Sequence, residues 1–176
     1  MEYPKGIVVA ACTSEKTGIR KTPVPTVELR QAHGIVGDAH AGPWHRQVSL
    51  LAMESIRKMQ AMGLNVGPGD FAENITTEGI DIKTLPVGTW LTCGNVLLEI
   101  TQIGKVCHAR CAIYHQAGDC VMPKEGVFAR VLRGGTITSQ SAIEVLECNR
   151  AQAPGKAEAD LPASTAQRAN VVSLGT

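Results

Sequence analysis

The sequence predicts a mainly β protein with a few short helices, closing into a barrel or a compact sheet. Three observations support this fold class. The 176 residues include 18 glycines and 9 prolines, but only two each of tryptophan, tyrosine and phenylalanine. Runs of β-branched residues are short, and turn-forming residues separate them at short intervals. Many short strands joined by frequent turns are typical of barrels rather than of helical bundles.

The first third of the chain contains three predicted strands. Residues 5–12 carry a β-branched run that ends at a polar turn, and residues 26–30 and 48–52 are short segments of the same kind. Pro23 and Pro25 cannot donate backbone hydrogen bonds, so we expect their segment to be a sheet edge or a connection.

Two further strands are predicted as a hairpin. Residues 89–93 and 96–103 flank the dipeptide Gly94-Asn95, which is a short turn signal between two apolar runs. Residues 136–147 alternate between polar and apolar side chains and predict the last strand, with Ile143 and Val145 on one face.

Two short helices are predicted. Residues 54–62 place Ile56 and Met59 at helical spacing, and Gly63 is suited to the position after the helix end. Residues 125–132 predict a second helix, which the two glycines at 134 and 135 would stop.

The composition divides the chain into two parts. Residues 1–148 are predicted to form one domain, because a chain of this length can bury a core of its own. Residues 149–176 are rich in alanine, contain two prolines and lack apolar periodicity before Val171, so we expect them to form a disordered tail.

Charge and cysteine usage exclude several classes of function. Lysine and arginine number 17 against 16 aspartates and glutamates, and no basic stripe of the kind that binds nucleic acid is present. The first residues lack a basic region and a long apolar stretch, and no run approaches the ~18–20 apolar residues of a membrane span. We therefore expect a cytoplasmic location without a membrane partner.

In a reducing compartment, the six cysteines are thiols, metal ligands or redox groups.

The segment from residue 104 to residue 130 is the first candidate for a functional site. It contains three of the six cysteines, Cys107, Cys111 and Cys120, and two of the five histidines, His108 and His115. Strands are predicted on both sides of it, which indicates a functional loop held by a β scaffold.

Three motifs, in this order, resemble the MOSC domain, which is named for the carboxy-terminal domain of molybdenum-cofactor sulfurases. They are residues 37–52, with GDAHAG and RQVSLLA, residues 69–82, with GDFAENITTEGIDI, and residues 85–107, which end on a cysteine after a long strand. The resemblance covers about residues 5–147 and implies a MOSC-type β-barrel.

The resemblance also implies a function around the molybdenum or tungsten pterin cofactor. Sulfurase relatives bind this cofactor and take part in sulfur transfer, and amidoxime-reducing relatives bind molybdenum through the cysteine at the Cys107 position. The implied partners are the molybdopterin-type molecule and the proteins that make or receive it. No pyridoxal-phosphate desulfurase half is recognisable. Cys111 and Cys120 depart from the simpler family pattern.

Cys107 is the first candidate for a persulfide carrier or a metal ligand. A thiolate is the reactive form of cysteine, and cationic neighbours favour it; Lys105, His108 and Arg110 are close enough in sequence to serve. Molybdenum suits soft sulfur donors. The alternative is a small buried apolar residue, which is the usual fate of a free cysteine.

Cys111 and Cys120 complete a C-x3-C-x8-C pattern, which matches neither zinc nor common iron–sulfur spacings. They are candidates for a second thiol that resolves a persulfide, or for a multi-thiolate site. Asp119 is expected to raise the pKa of the adjacent Cys120 thiol. The remaining cysteines lie on strand-like stretches and are predicted to be core residues: Cys12, Cys93 and Cys148.

A glycine-rich loop over residues 33–47 predicts the second wall of the site. Asp38, His40, His45 and Arg46 lie in it, and Arg46 can grip the phosphate of a pterin cofactor with two hydrogen bonds. The alternative is a structural loop whose histidines and aspartate bond locally.

Three further residues are candidates for cofactor binding. Glu73 and Asn74 offer an acceptor and an amide suited to the edge of a pterin ring, or alternatively to the backbone of a turn. Arg130 is a candidate for completing an anion site.

Three functions therefore compete at the level of sequence. The first is a protein of cofactor sulfuration, metal–sulfur transfer or maturation, with Cys107 as its covalent or coordinating group. The second is a molybdenum-dependent reductase of N-oxygenated substrates, which needs an electron donor. The third is a Cys/His metal-binding or redox-sensing module.

Overall fold

The computed structural model of the chain describes residues 2–107 and 109–146. The predicted tail over residues 149–176, as well as His108 and Cys148, lie outside the described residues. In the described part, no helix is long and apolar enough to cross a membrane.

Eleven strands, three α-helices and one 3-10 helix make up the described part of the chain. The strands are β1 (Lys5–Thr13), β2 (Thr22–Val24), β3 (Thr26–Arg30), β4 (Gly34–Ile35), β5 (Val48–Ala52), β6 (Ile75–Glu78), β7 (Trp90–Cys93), β8 (Val96–Ile103), β9 (Val127–Arg133), β10 (Gly135–Thr138) and β11 (Ala142–Val145). The α-helices are α1 (Met53–Ala61), α2 (Ala112–Ala117) and α3 (Met122–Glu125), and the 3-10 helix is Ile82–Thr84.

Seven strands close into a barrel, which confirms the predicted fold class. Their order is β11-β7-β8-β9-β5-β6-β1, and β1 pairs back onto β11 through residues 5–7 and 142–144. The far half of β1 also pairs with the short edge strand β2. Strands β10, β3 and β4 form a separate three-stranded sheet.

Alternation along the strands divides the apolar side chains between two clusters, because successive residues of a strand point to opposite faces. Leu50 and Ala129 face the inside of the barrel, together with most of its core. Leu51 and Phe128, their neighbours in sequence, pack instead into a second cluster with residues of α1, α2 and α3. This second cluster forms the support on which the functional segment lies.

The local predictions are confirmed where a pattern had a clear start and end. Strands β3 and β5 have the predicted bounds, and the β7–β8 hairpin turns at Gly94, with Cys93 opposite Val96. Helix α1 buries Ile56 and Met59 and ends before Gly63, whose φ of 90° favours glycine.

Two predictions are wrong. The segment 125–132 is not a helix: residues 127–133 form β9, which pairs with β8 on one side and β5 on the other. A short apolar run between two glycine breaks fits a buried strand as well as a helix. The predicted last strand divides at a turn, where Gln140 has a φ of 73°, into β10 and β11, which belong to different sheets.

One row of paired residues crosses the barrel wall beside the candidate site. Ala11 lies opposite Ile75, Ile75 opposite Leu50, Leu50 opposite Val127, and Val127 opposite Ile103. From this row β8 and β9 extend to one side and β1 and β6 to the other, while β5 crosses it. The row therefore links the two pairs of strands through β5.

The barrel core predicts a test of this architecture. Leu98 is 0 % exposed inside the barrel, so Leu98→Ala should lower the free energy of unfolding by about 2–5 kcal/mol, through lost burial and a residual cavity. Val87 is 59 % exposed, and Val87→Ala is the matched control with a much smaller effect. Urea unfolding measures both; equal losses would contradict the assigned core.

Candidate functional site

Two adjoining cavities lie outside the barrel core, and the smaller one is lined by the outward-facing Ser49 of β5 and Phe128 of β9. The thiol cavity has a volume of about 870 Å3, and its lining includes Cys107, Arg110, Cys111 and Cys120. The basic cavity has a volume of about 250 Å3, and its lining includes Thr17, His40, Arg46 and Ser49. Both cavities are also lined by Lys105, Ala72 and Met122, which places the two predicted walls against each other.

The three cysteines of the functional segment converge on the thiol cavity but differ in exposure. Cys107 and Cys111 are exposed, whereas Cys120 is only 9 % exposed. Burial raises the pKa of the Cys120 thiol, and the charges of Cys111 and Cys107 raise it further. Cys120 is therefore the least reactive of the three thiols.

The raised pKa of Cys120 has a different cause from the one that its sequence neighbour suggests. The carboxylate of Asp119 accepts a hydrogen bond from the backbone N–H of Cys120 at 2.8 Å and pairs with Lys124 Nζ at 3.0 Å. The charge of Asp119 is therefore paired at the surface, and burial of the Cys120 thiol is the main cause of its raised pKa.

Cations hold fixed positions around the thiol cavity. The guanidinium carbon of Arg110 lies 4.3 Å from the centre of the Tyr114 ring, a cation–π contact. Arg20 Nη1 lies 3.3 Å from Asp70 Oδ1.

Among the described residues, no group of three or more His, Cys, Asp or Glu side chains is arranged to hold a metal ion.

The polar side chains that line the basic cavity can all donate hydrogen bonds. They are two hydroxyls, an imidazole, a guanidinium and an ammonium, from Thr17, Ser49, His40, Arg46 and Lys105. No carboxylate is among the described side chains that line this cavity. Such a set of donors suits an anion.

Two aromatic rings hold Arg46 in place. Its guanidinium carbon lies 4.7 Å from the centre of the Trp44 ring and 5.5 Å from that of Phe128. Trp44 is itself fixed, because its Nε1–H donates to the His40 carbonyl at 2.8 Å. In the described part of the chain, no carboxylate pairs with Arg46, so its donors stay available to a ligand.

A buried ion pair fixes His40. Lys21 Nζ donates to Asp38 Oδ1 at 2.7 Å, to Ser14 Oγ at 3.0 Å, and to His40 Nδ1 at 2.9 Å. The side chains of Lys21 and Asp38 are both fully buried. Asp38 also accepts hydrogen bonds from the backbone N–H groups of Ser14 and His40.

This network determines which nitrogen of His40 carries the proton. A lysine ammonium has three donors and no acceptor, so the Nδ1 atom beside it must accept. The distance from Nδ1 to Asp38 Oδ2 is 3.7 Å, too long for a hydrogen bond. The proton therefore resides on Nε2, and His40 contributes a donor from the wall of the basic cavity.

Sequence reasoning missed Lys21. The residue stands in the stretch TGIRKTPVP, which has no recognisable motif, and it is one of 17 basic residues. Only the fold brings it against Asp38 and His40, which are 17 and 19 residues further along the chain. A basic residue placed before an edge strand gives no local signal of burial.

Two predicted site residues lie away from both cavities. His45 is exposed, and its carbonyl accepts a hydrogen bond from Thr101 Oγ1 at 2.7 Å. Arg130 is in β9 rather than in a helix, and its Nε bonds Glu99 on the neighbouring strand. Cross-strand pairing thus occupies the side chain that was expected to complete an anion site.

Glu73 and Asn74 point into the protein, where they bond to their own chain. Glu73 accepts from the backbone N–H groups of Gly69 and Phe71, and Asn74 bridges Ser49 and the Cys12 carbonyl. Burial raises the pKa of Glu73 against these hydrogen bonds. Both side chains are 0 % exposed and line neither cavity, so the geometry favours the structural alternative.

Cys12 and Cys93 are 0 % exposed, which confirms their prediction as core residues. Burial raises the pKa of each thiol to about 12, and the charge of Glu73 adds to the effect at Cys12. These thiols stay protonated and unreactive.

Comparison with known proteins identifies relatives of this arrangement. The sequence model of the MOSC domain matches residues 37–144, a range that includes most of the lining of both cavities. A search of curated proteins found no significant match.

Several solved structures share the fold. The YUAD protein from Bacillus subtilis is 16 % identical with a TM-score of 0.68, covering 80 % of this chain and 95 % of that one. YiiM from Geobacillus stearothermophilus is 23 % identical with a TM-score of 0.60, covering 82 % and 76 %. YiiM from Escherichia coli is 19 % identical with a TM-score of 0.55, covering 84 % and 70 %.

The buried ion pair predicts a large loss of stability when Asp38 is changed. Asp38→Asn leaves the Lys21 ammonium buried without a counter-charge, so the free energy of unfolding should fall by about 3–5 kcal/mol. Glu28 forms an exposed pair with Arg30, and Glu28→Gln is the control, expected to cost less than about 1 kcal/mol. Chemical denaturation at neutral pH compares the two variants.

Acidification provides the second readout of the same prediction. Burial tends to raise the pKa of Asp38, but hydrogen bonds from Lys21 and from the backbone N–H groups of His40 and Ser14 outweigh burial and hold this pKa well below its usual range. The stability that the ionised group contributes is therefore complete above its unfolded pKa of about 3.9 and is lost as the pH falls towards the folded value. Asp38→Asn should lack this acid-dependent loss; an unchanged pH profile would contradict the assignment.

Proposed function

Since the chain belongs to the MOSC domain family, which is associated with molybdenum cofactor sulfurase-type proteins, we propose that it binds a molybdenum or tungsten pterin cofactor and carries sulfur for it as a persulfide on Cys107. One observation carries the proposal: Lys105 lines both the thiol cavity and the basic cavity, and the polar side chains of the basic cavity can all donate hydrogen bonds. A phosphorylated ligand that receives sulfur requires an anion site and a thiol within the length of one molecule.

The size of the cavities supports this ligand class. Cavities of ~300–1,000 Å3 accommodate ligands the size of a cofactor. The thiol cavity, at about 870 Å3, falls in this range, and the basic cavity adds about 250 Å3, enough for a phosphate-sized group. The floor of the larger cavity includes Phe71 and Ile113, which offer apolar contacts to a ring.

The basic cavity is the site proposed for the phosphate. Arg46 presents a planar guanidinium that can grip two oxygens, His40 adds its Nε2–H, and Lys105 adds a point charge. No carboxylate in the described lining competes for these donors. A phosphate can therefore bind without first displacing an ion pair, which reduces the cost of desolvating the site.

Cys107 is the proposed sulfur carrier. It is exposed on the wall of the thiol cavity, near the cations Lys105 and Arg110, so a sulfur donor can reach the thiol and a persulfide anion is electrostatically favoured there. When bound, the cofactor supplies a soft metal centre that accepts sulfur. A partner protein or a small sulfane-sulfur donor supplies the sulfur atom, and a maturing molybdoenzyme is the proposed recipient.

Removal of the Cys107 thiol tests the carrier. In protein purified without oxygen, Cys107→Ser should lose the mass increment of one sulfur atom, or the bound metal, that the wild type carries. Native mass spectrometry and metal analysis measure this loss. The side chain is exposed, so the fold should be unchanged, and a thermal melt checks it. Cys93→Ala is the control, because this thiol is buried in the barrel core and lines neither cavity.

Two outcomes would contradict the assignment. Normal loading of Cys107→Ser would place the sulfur or the metal elsewhere. Turnover of an N-oxygenated substrate by wild-type protein supplied with an electron donor would favour the reductase alternative over sulfur transfer.

A substitution that removes the positive charge of Arg46 tests the phosphate site separately. Arg46→Gln should weaken retention of the phosphorylated pterin about tenfold or more, because a charge-assisted hydrogen bond to phosphate contributes about 1.5–3 kcal/mol. Pterin fluorescence after oxidation of the purified protein measures retention. Arg133→Gln is the matched control, since Arg133 is exposed and bonds the Asn95 carbonyl. Equal retention in both variants would refute the phosphate site.

A further inference from the structure

We propose that Cys111 is the thiol that discharges the persulfide of Cys107, by forming a Cys107–Cys111 disulfide and releasing the carried sulfur as sulfide. The inference rests on the proposed function, because it takes Cys107 as the persulfide carrier. It goes beyond that function by naming a second reacting thiol and the source of the electrons that the released sulfur needs.

Exposure and position distinguish Cys111 from the other thiols. Cys107 and Cys111 are both exposed, both line the thiol cavity, and only three residues separate them. Four steps of extended chain limit the distance between their two Cα atoms to about 14 Å. Cys120 lines the same cavity.

Few backbone hydrogen bonds hold the described residues around the two cysteines. The last anchors before Cys107 are hydrogen bonds from Gly104 N–H to the Gly126 carbonyl and from Lys105 N–H to the Pro123 carbonyl. Cys111 precedes α2, and its carbonyl accepts a hydrogen bond from His115 N–H. Among the described residues, no helix or strand lies between these anchors, so a disulfide with Cα atoms ~4.4–6.8 Å apart interrupts no regular structure there.

Cys120 is poorly suited to the same attack. It is 9 % exposed and packs with Ile113 and Met122 in the second cluster. Thiol–disulfide exchange requires a thiolate and access to the sulfur under attack. Burial raises the pKa of Cys120, and the charges of Cys111 and Cys107 add to this rise, so its thiolate is scarce.

The step balances without an external oxidant or reductant. The Cys111 thiolate attacks Sγ of Cys107, the Sγ–Cys111 bond forms, and the bond between Sγ and the carried sulfur breaks. The bonding electron pair leaves with that sulfur, which takes up the Cys111 proton and departs as HS⁻. The two cysteine sulfurs are oxidised to a disulfide, and the carried sulfur is reduced to sulfide.

The cations at the cavity wall stabilise the charged groups of this step. The reacting and leaving groups are all anionic sulfur species, and Lys105 lines the same cavity as both reacting thiols. Arg110, held over Tyr114, adds a second positive charge beside the cavity. The sulfur is thus released next to the proposed cofactor site at the oxidation level of sulfide.

A single-turnover experiment on the full chain tests the proposal without any cofactor. Fully reduced protein is loaded with inorganic polysulfide in the absence of oxygen, desalted, and followed for sulfide release and for disulfide-linked peptides by mass spectrometry. The wild type should release sulfide and form the Cys107–Cys111 disulfide. Cys111→Ser should hold the persulfide on Cys107 and release sulfide at least about tenfold more slowly.

Controls separate this inference from the proposed function. Cys93→Ala, which removes a buried core thiol outside both cavities and keeps both reacting thiols, should release sulfide within about twofold of the wild-type rate. Release by Cys111→Ser at the wild-type rate, a disulfide from Cys107 to Cys120, or migration of the persulfide to Cys111 without sulfide would each overturn the role of Cys111. Full loading of Cys107→Ser would instead refute Cys107 as the carrier. Thermal melts verify that each variant is folded.

Discussion

The pairing of β1 with β11 closes the barrel, and the location of the site depends on this closure. In a closed sheet every strand has its register fixed from both sides, and a slip of one residue would turn the core side chains outward. The row from Ala11 through Ile75 and Leu50 to Val127 therefore has a fixed register. The loops that adjoin these strands acquire defined positions from a regular scaffold.

The buried ion pair fixes the positions of the loops, as the register fixes the positions of the strands. Lys21 and Asp38 lie on different segments, and desolvation makes their burial expensive unless every donor and acceptor is matched. Three hydrogen bonds from Lys21 Nζ satisfy this condition, and one of them orients His40. The hydrogen bond from the buried Lys21 thus fixes a single tautomer of His40 and a single position of its ring at the cavity wall.

Local patterns predicted the fold well, whereas long-range contacts limited the prediction of the site. The hairpin and helix α1 carry their own turn and capping residues, which is why their positions were correct. Strand β9 was predicted as a helix because its apolar run has no local feature that separates the two structures. Arg46 was found through its glycine-rich loop, but Lys21 and the inward turn of Glu73 depend on contacts that no short window of sequence contains.

The six cysteines illustrate why residue type alone could not assign the chemistry. Cys12 and Cys93 have the same side chain as Cys107, yet burial holds them in the protonated form. Cys120 is intermediate between these cases: it lines the thiol cavity, but it also packs in the second cluster. Among the five cysteines that the structure describes, Cys107 and Cys111 are exposed, and both line the cavity that Lys105 and Arg110 also line. A transfer that releases sulfur as sulfide requires two electrons, and two accessible thiols in one cavity supply them.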